Sequence, residues 1–315
     1  MLLPLATLFG SLVALRRALY RAGLFASQRL PVPVIVVGNI TAGGTGKTPL
    51  VLWLCDFLRE HGYRPGIVSR GYGGRGQTTA VRESSAPDVA GDEPVLLARR
   101  SRCPVWIGRD RVAAARALLA ANPGCDIIVA DDGLQHYRLG RDFEIAVVDG
   151  SRGAGNGLPL PAGPLRESTR RLEQVDAVVV TGSGFSPPAS KPSFAMALDG
   201  NEFRNLLNPA FHQEAGAFLG KRVHAVAGIG NPSRFFDHLQ RLGLSFSAHA
   251  FADHHAYVQA DLEFGDADAI IMTEKDAIKC LQFARENHWV LPVDARVEAA
   301  LGRLILEKLK TPHGS

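Results

Sequence analysis

The chain has 315 residues, 46% hydrophobic and 21% charged, with 35 Lys and Arg against 31 Asp and Glu. This length suits about two domains, and the composition supports a packed core and excludes global disorder. Its glycines and prolines follow no G-X-Y period, and Cys55, Cys103, Cys125 and Cys280 form no C-x-x-C pair, which excludes collagen, a zinc ribbon and a thioredoxin-type motif and suits a reducing cytoplasm.

The excess positive charge is local. Residues 1–30 hold Arg16, Arg17, Arg21 and Arg29 and no acid; removing these four from the 35 leaves 31, equal to the 31 acids. A neutral remainder argues against a nucleic-acid partner. Leu2 to Leu15 is mostly apolar and is followed by three of those arginines. A signal peptide has the opposite order. As a helix the stretch rises about 21 Å, short of the roughly 30 Å hydrocarbon core. The expectation is a membrane-associated helix over residues 1–25, dipping in from the cytoplasmic face with its arginines at the headgroups.

Further elements follow in order. Val34–Val37 reads as a buried strand and Leu50–Glu60 as a helix. Gly66–Val68 begins a strand that runs into the glycine-rich stretch Arg70–Gly76. Val112–Ala121 reads as a helix, and Asp126–Ala130, Glu144–Val148 and Asp176–Thr181 as strands. Apolar strands alternating with helices predict an α/β fold with a parallel sheet covered on both faces. Ser183–Ser193, rich in Ser and Pro, reads as a linker. A second α/β pattern follows: a strand at Val223–Val226, a helix capped by Asn231 and opened by Pro232, and a strand at Ala269–Met272. A helix from Glu274, a short strand at Val290–Leu291 and a helix over Val297–Lys310 complete it.

The strongest chemical signal is Gly43-Gly44-Thr45-Gly46-Lys47-Thr48, between a strand and a helix. Small residues let successive backbone N–H groups turn onto phosphate oxygens, a lysine reaches the β- and γ-phosphates, and a hydroxyl ligates Mg²⁺. Lys47 and Thr48 fit these roles, and Thr41 stands where the general pattern has glycine. Asp131-Asp132 ends the 126–130 strand, where phosphate-loop enzymes place an acid for Mg²⁺. Gln135 and His136 follow at the same edge. Gly91-Asp92-Glu93-Pro94 lies in what reads as a polar loop, where an aspartate could take a proton from an acceptor hydroxyl or serve only the turn. Asp253-His254-His255 lacks the i, i+4 spacing of a helical metal site. Gly71–Gly76 matches G-x-G-x-x-G in letters, but no apolar helix follows it. Thr273-Glu274-Lys275-Asp276 differs from a guanine-specifying N/T-K-x-D because its lysine and aspartate are adjacent, so the spacing does not support GTP specificity.

In combination these motifs closely resemble the tetraacyldisaccharide 4′-kinases, the lipid A 4′-kinases of Gram-negative bacteria. The resemblance runs through Val37–Pro49, Ser69–Gly74, Gly91–Pro94 and Asp131–His136, then Pro161–Glu167, Ala227–Pro232, Phe251–His254 and Thr273–Asp276. That family's loop also carries threonine at the position of Thr41. The resemblance implies ATP- and Mg²⁺-dependent phosphorylation of the 4′-hydroxyl of a tetraacylated disaccharide 1-phosphate, giving lipid IVA, at the cytoplasmic face of the inner membrane. It implies two α/β/α sandwich domains, a P-loop kinase domain at 26–190 and a smaller one at 191–315, after the membrane-associated helix. It implies Asp92 as catalytic base supported by His254, with Lys47 as a further catalytic residue. Nucleotide would lie on Thr41, Ala42, Gly43, Gly44, Thr45, Gly46, Lys47 and Thr48, and Mg²⁺ on Thr48, Asp131 and Asp132. Arg70, Tyr72, Arg111, Gln135 and Arg166 would contact phosphate or substrate. His254 is preferred to His255 because the motif sets the histidine directly after the aspartate. Besides the lipid substrate and the inner-membrane surface, no protein partner is implied. The competing reading is a membrane-associated nucleotide-switch ATPase, which would share the loop and the Asp pair but need no base at Asp92.

Overall fold

The computed structural model describes residues 2–71 and 78–310. Helix α1 spans Leu3–Arg21, with Pro4 in its first turn, where the missing N–H costs no hydrogen bond. Leu2, Leu3, Leu5, Leu8, Leu12 and Leu15 are all at least half exposed on it, while Ala6 is buried. After α1 the chain forms β1 (Val34–Gly38), α2 (Lys47–Glu60), β2 (Pro65–Ser69), β3 (Thr79–Val81), the single turn α3 (Pro87–Ala90) and α4 (Asp92–Arg100). Then come β4 (Val105–Ile107), α5 (Arg111–Ala121), β5 (Ile127–Asp131), β6 (Phe143–Asp149), β7 (Ala177–Thr181) and β8 (Ser193–Asp199). Elements β9 (Glu202–Asn205), β10 (His212–Glu214), β11 (Val223–Ala227), α6 (Pro232–Arg241), β12 (Ser247–Ala250), β13 (Ala269–Thr273), α7 (Glu274–Cys280) and β14 (His288–Leu291) follow. Strand β15 (Asp294–Val297) and helix α8 (Ala299–Lys310) end the described chain.

Two compact units result, residues 1–85, 89–198 and 295–315 in one, 86–88 and 199–294 in the other. The first holds a nine-stranded sheet in the order β15-β8-β7-β6-β1-β5-β2-β4-β3. Strands β8 through β4 in that order run parallel to their neighbours, and β3 joins β4 antiparallel. Every residue of β1, β5, β6 and β7 is buried, as two covered faces demand of apolar strands. One face packs Val34, Val36, Ile128 and Ala130 against Val112, Ala115 and Leu118 of α5.

The second unit has a six-stranded sheet in the order β10-β9-β14-β13-β11-β12, parallel from β14 to β12 and antiparallel at β9 and β10. Alternate residues feed two cores. Ala225, Ala227 and Ile271 meet Phe235 and Leu239 of α6, while Val226, Ile270 and Met272 meet Ala277 and Cys280 of α7. Both faces of this sheet are therefore covered, the three-layer arrangement expected of it.

The boundary at 190/191 and the C-terminal extent differ from the sequence reading. Strand β8 adds to the first sheet beside β7, so the serine- and proline-rich stretch before it is a connection within the first unit. Helix α8 also belongs to the first unit: Gly302 packs so close to Phe57 of α2 that an added Cβ would lie 2.5 Å from its ring. Close helix contact of this kind requires a residue without a side chain.

Candidate active site

Val37 of β1 lies opposite Asp131 of β5 in a parallel pair. The loop after β1 and the acids after β5 therefore emerge at the same edge of the first sheet, the edge at which open α/β sheets bind ligands. Ser69, the last residue of β2, joins them there, its hydroxyl donating to Oδ2 of Asp131 at 3.0 Å.

The loop is held from outside. Thr41 is buried and bridges to Leu165, and the Ala42 amide donates to the Pro164 carbonyl at 2.7 Å. The buried Asn39 donates to the Gly43 carbonyl at 3.4 Å, and the Thr181 hydroxyl to the Thr45 carbonyl at 3.0 Å. Gly43 and Gly46 have φ of +95° and +96°, left-handed values that glycine adopts without strain. Between them Gly44 is half-buried and Thr45 buried, its hydroxyl oxygen without a hydrogen-bond partner. Gly46 is the N-cap of α2, and Lys47 and Thr48 form its first turn. Backbone N–H groups and the helix dipole favour an anion at such a terminus.

Lys47 is 8% exposed, and its ammonium lies 3.6 Å from Oδ1 of Asp132. The carboxylate of Asp132 also accepts from Nη1 of Arg166, at 2.9 Å to Oδ1 and 2.8 Å to Oδ2. Burial raises the pKa of Asp132, but Lys47 and Arg166 outweigh it and bring it down to about 2. Asp132 sits at φ +48°, a left-handed value uncommon for a residue with a side chain. Asp131 stands in contrast. It is fully buried, and its Oδ1 has no hydrogen-bond partner. Burial first, then the charges of Glu93 and Asp132, push its pKa up to about 7, against the pull of Lys47 and Ser69. A desolvated carboxylate with an open oxygen beside a glycine-rich loop fits a hard divalent cation.

Arg111 opens α5 after the N-cap Asp110. Its side chain is buried, donating to the Gly108 carbonyl at 3.0 Å and the Asp132 carbonyl at 3.5 Å. Burial lowers its pKa to about 10, with Asp131 and Asp132 opposing. Its amide donates to Nε2 of His136 at 3.3 Å. Burial and then Arg111 lower that imidazole to about 4, so it is a neutral acceptor. Gln135 is tied into the scaffold: its amide nitrogen donates to the Asn39 carbonyl and to Glu167, both at 3.0 Å. Glu167 in turn accepts from the Tyr137 hydroxyl and lies near the buried Arg171. Arg70 is exposed directly after β2. Tyr72 lies outside the described residues.

Asp92, read from the sequence as part of a polar loop, is instead the first residue of helix α4. Gly91 before it has φ +90°, and Asp92 is 6% exposed, accepting from the Glu93 amide at 2.8 Å. In the second unit, His254 follows β12 at φ +60°, with Nε2 3.4 Å from the Lys275 ammonium.

Three contributors escaped sequence reasoning. Ser69 orients Asp131, and Glu167 holds Gln135; both stand inside runs that carry the family resemblance, at Ser69–Gly74 and Pro161–Glu167. Arg152 is the third: an added Cβ on Gly43 would lie 3.1 Å from its Nη1. It sits in a glycine-rich turn with no local motif to single it out.

A family model described as tetraacyldisaccharide-1-P 4′-kinase (LpxK) matches residues 1–310. The chain is 52% identical over 307 residues to the tetraacyldisaccharide 4′-kinase of Methylobacillus flagellatus, covering 97% of this chain and 90% of the relative. It is 55% identical to that of Aromatoleum aromaticum, covering 100% and 94%. Its structure resembles a crystal structure of LpxK from Aquifex aeolicus in complex with ATP, with a TM-score of 0.83 at 30% identity over 98% of each chain. The chain belongs to the tetraacyldisaccharide 4′-kinase family.

Proposed function

We propose that this chain transfers the γ-phosphoryl group of ATP to the 4′-hydroxyl of a tetraacylated glucosamine disaccharide 1-phosphate, the step that yields lipid IVA in lipid A biosynthesis. The observation that carries this reading is the joint placement of a glycine-rich loop with Lys47 and an Asp131–Asp132 pair at one sheet edge, in a chain matched over its length by one kinase family. The first unit serves as a P-loop NTPase domain, with ATP phosphates on Thr41–Thr48 and Lys47 reaching the oxygens where negative charge grows during transfer. Lys47 and Arg166 are both paired with Asp132, so they are already aimed at the site when phosphate arrives.

Asp131, through its open oxygen, and Thr48 would hold Mg²⁺, with Asp132 beside them. Such an ion supplies charge neutralisation on the β- and γ-phosphates. Asp92 accepts the proton of the attacking hydroxyl, and His254 is a second catalytic residue. Arg70, Tyr72 and Arg111 complete the contacts to phosphate or substrate. Helix α1 carries the protein on the cytoplasmic face of the inner membrane. Its exposed leucines and the following arginines support this reading, and no helix among the described residues is long and apolar enough to cross a membrane.

The test is to incubate the protein with labelled ATP and the disaccharide 1-phosphate and to locate the transferred phosphate by ³¹P NMR. The proposal expects a second phosphate at the 4′-position. ATP hydrolysis without lipid phosphorylation would support the nucleotide-switch reading instead.

A further inference from the structure

The run Thr273–Asp276 carries no nucleotide specificity by its spacing, yet each end of it is engaged. The Thr273 hydroxyl caps α7, accepting from the Asp276 amide at 3.2 Å. Asp276 is fully buried, accepting from the Thr273 hydroxyl at 2.6 Å and from the Gly228 amide at 3.0 Å, which pins the turn before α6. Lys275, between them, reaches a different segment. Its side chain is 13% exposed, and Nζ lies 3.0 Å from Oδ1 of Asp253 and 3.4 Å from Nε2 of His254, while that carboxylate oxygen stands 3.8 Å from the same Nε2, beyond hydrogen-bond reach. His254 itself holds a left-handed backbone at φ +60°, a conformation that persists where surroundings enforce it.

We propose that Lys275 is a positioning residue for His254, holding the imidazole through Nε2 and fixing it as the Nδ1–H tautomer. An ammonium has three donors and no acceptor, so the ring nitrogen facing it accepts and carries no proton. A ring whose Nε2 accepts carries its single proton on Nδ1. Asp253 takes part by balancing the ammonium, which would otherwise sit poorly solvated against an imidazole. The ring so held presents its two nitrogens in one defined protonation pattern, which is how the contact would bear on turnover. A second-shell partner that sets tautomer and orientation is a common support for functional histidines. This consequence for turnover rests on the role given to His254 above; the tautomer does not.

The test uses the full chain with ¹⁵N-labelled histidine. The wild-type spectrum should show His254 with an unprotonated Nε2, and Lys275→Met should release the ring toward the Nε2–H form. Lys275→Met should lower kcat about tenfold with KM for ATP unchanged, and Lys275→Arg should restore most of it. On a His254→Ala background, Lys275→Met should cost less than about twofold more, as residues acting through one another do. An Nε2–H tautomer in the wild type overturns the proposal whether or not the variant folds. So does a tautomer unchanged in Lys275→Met, or a rate loss that multiplies with that of His254→Ala. If His254→Ala leaves turnover intact while Lys275→Met shifts the tautomer, the role of His254 fails and the positioning by Lys275 stands.

Discussion

Lys47 and Arg166 converge on one carboxylate, Asp132, with the ammonium 3.6 Å from Oδ1 and the guanidinium 2.8 Å from Oδ2. The two cations come from distant positions in the first unit's sequence and meet at the Asp131–Asp132 corner. Lys47→Ala should leave Asp132 paired to Arg166 and the fold intact, and should cut phosphoryl transfer by about a hundredfold or more, the usual worth of a charge aimed at a transition state. Steady-state kinetics beside a thermal melt would check this. Near-normal turnover with a normal melt would remove the loop from the ATP site.

Asp131 makes a prediction about pH. Its pKa is raised from 3.8 to about 7 by burial and then by neighbouring acids. Between those values the folded state binds more protons than the unfolded state, so this group's contribution to stability is full at low pH and is lost as pH rises through about 7. Asp132 has the opposite sign: lowered to about 2, it adds stability as pH rises toward 3.8 and is constant above. In a chelator, Asp131→Asn should therefore gain stability relative to wild type as pH goes from about 5 to about 8. Calorimetric melts across that range would show the two curves diverging; parallel curves would show that Asp131 ionises normally. By the same competition, Mg²⁺ should bind more tightly as pH rises through about 7.

Gly43 is constrained twice, by φ +95° and by Arg152 3.1 Å from where a Cβ would stand. Gly43→Ala should strain the loop by about 1–3 kcal/mol, weakening ATP binding by roughly five- to 150-fold if the strain falls on the bound conformation. Calorimetric titration with a non-hydrolysable ATP analogue reads this directly. Unchanged affinity would mean the loop does not need this conformation to hold nucleotide.

Helix α1 exposes Leu5, Leu8, Leu12 and Leu15 at helical spacing, each more than half accessible. Full burial of a leucine is worth about 1.5–3 kcal/mol. Leu8→Ser with Leu12→Ser should weaken co-sedimentation with anionic vesicles at least about tenfold while leaving ATP affinity alone. Equal sedimentation of the two proteins would show that α1 is not the membrane contact.

The core of the first unit was legible because its strands are uniformly apolar and end in recognisable chemistry: Val34–Val37 before the loop, Ile127–Ala130 before the acids. Its edges were not. Strand β8 alternates, with Phe194 and Met196 buried and Ser193, Ala195 and Ala197 exposed, and it follows a serine- and proline-rich stretch that has the composition of a linker. Nothing local in α8 says which sheet it joins; that is decided by its contact at Phe57, far away in sequence. In the site, residue types announced the loop and the Asp pair. The different states of Asp131 and Asp132 depend on burial and on cations from Lys47 and Arg166, which spacing does not reveal. Asp92 was singled out by its motif but placed in a loop, because a helix of nine residues opened by Gly91 with Pro94 in its first turn has little helical pattern to read.

The central claim is that this chain phosphorylates a lipid hydroxyl with Asp92 as the base. The most direct measurement is transfer of label from γ-labelled ATP to tetraacyldisaccharide 1-phosphate by wild type and Asp92→Asn in parallel, with ATP affinity measured for both. A general base contributes about a hundredfold or more, so the wild type should label the lipid and Asp92→Asn should do so at least about a hundredfold more slowly at unchanged ATP affinity. Equal rates in the two proteins, or phosphate released to water while the lipid stays unlabelled, would contradict the account.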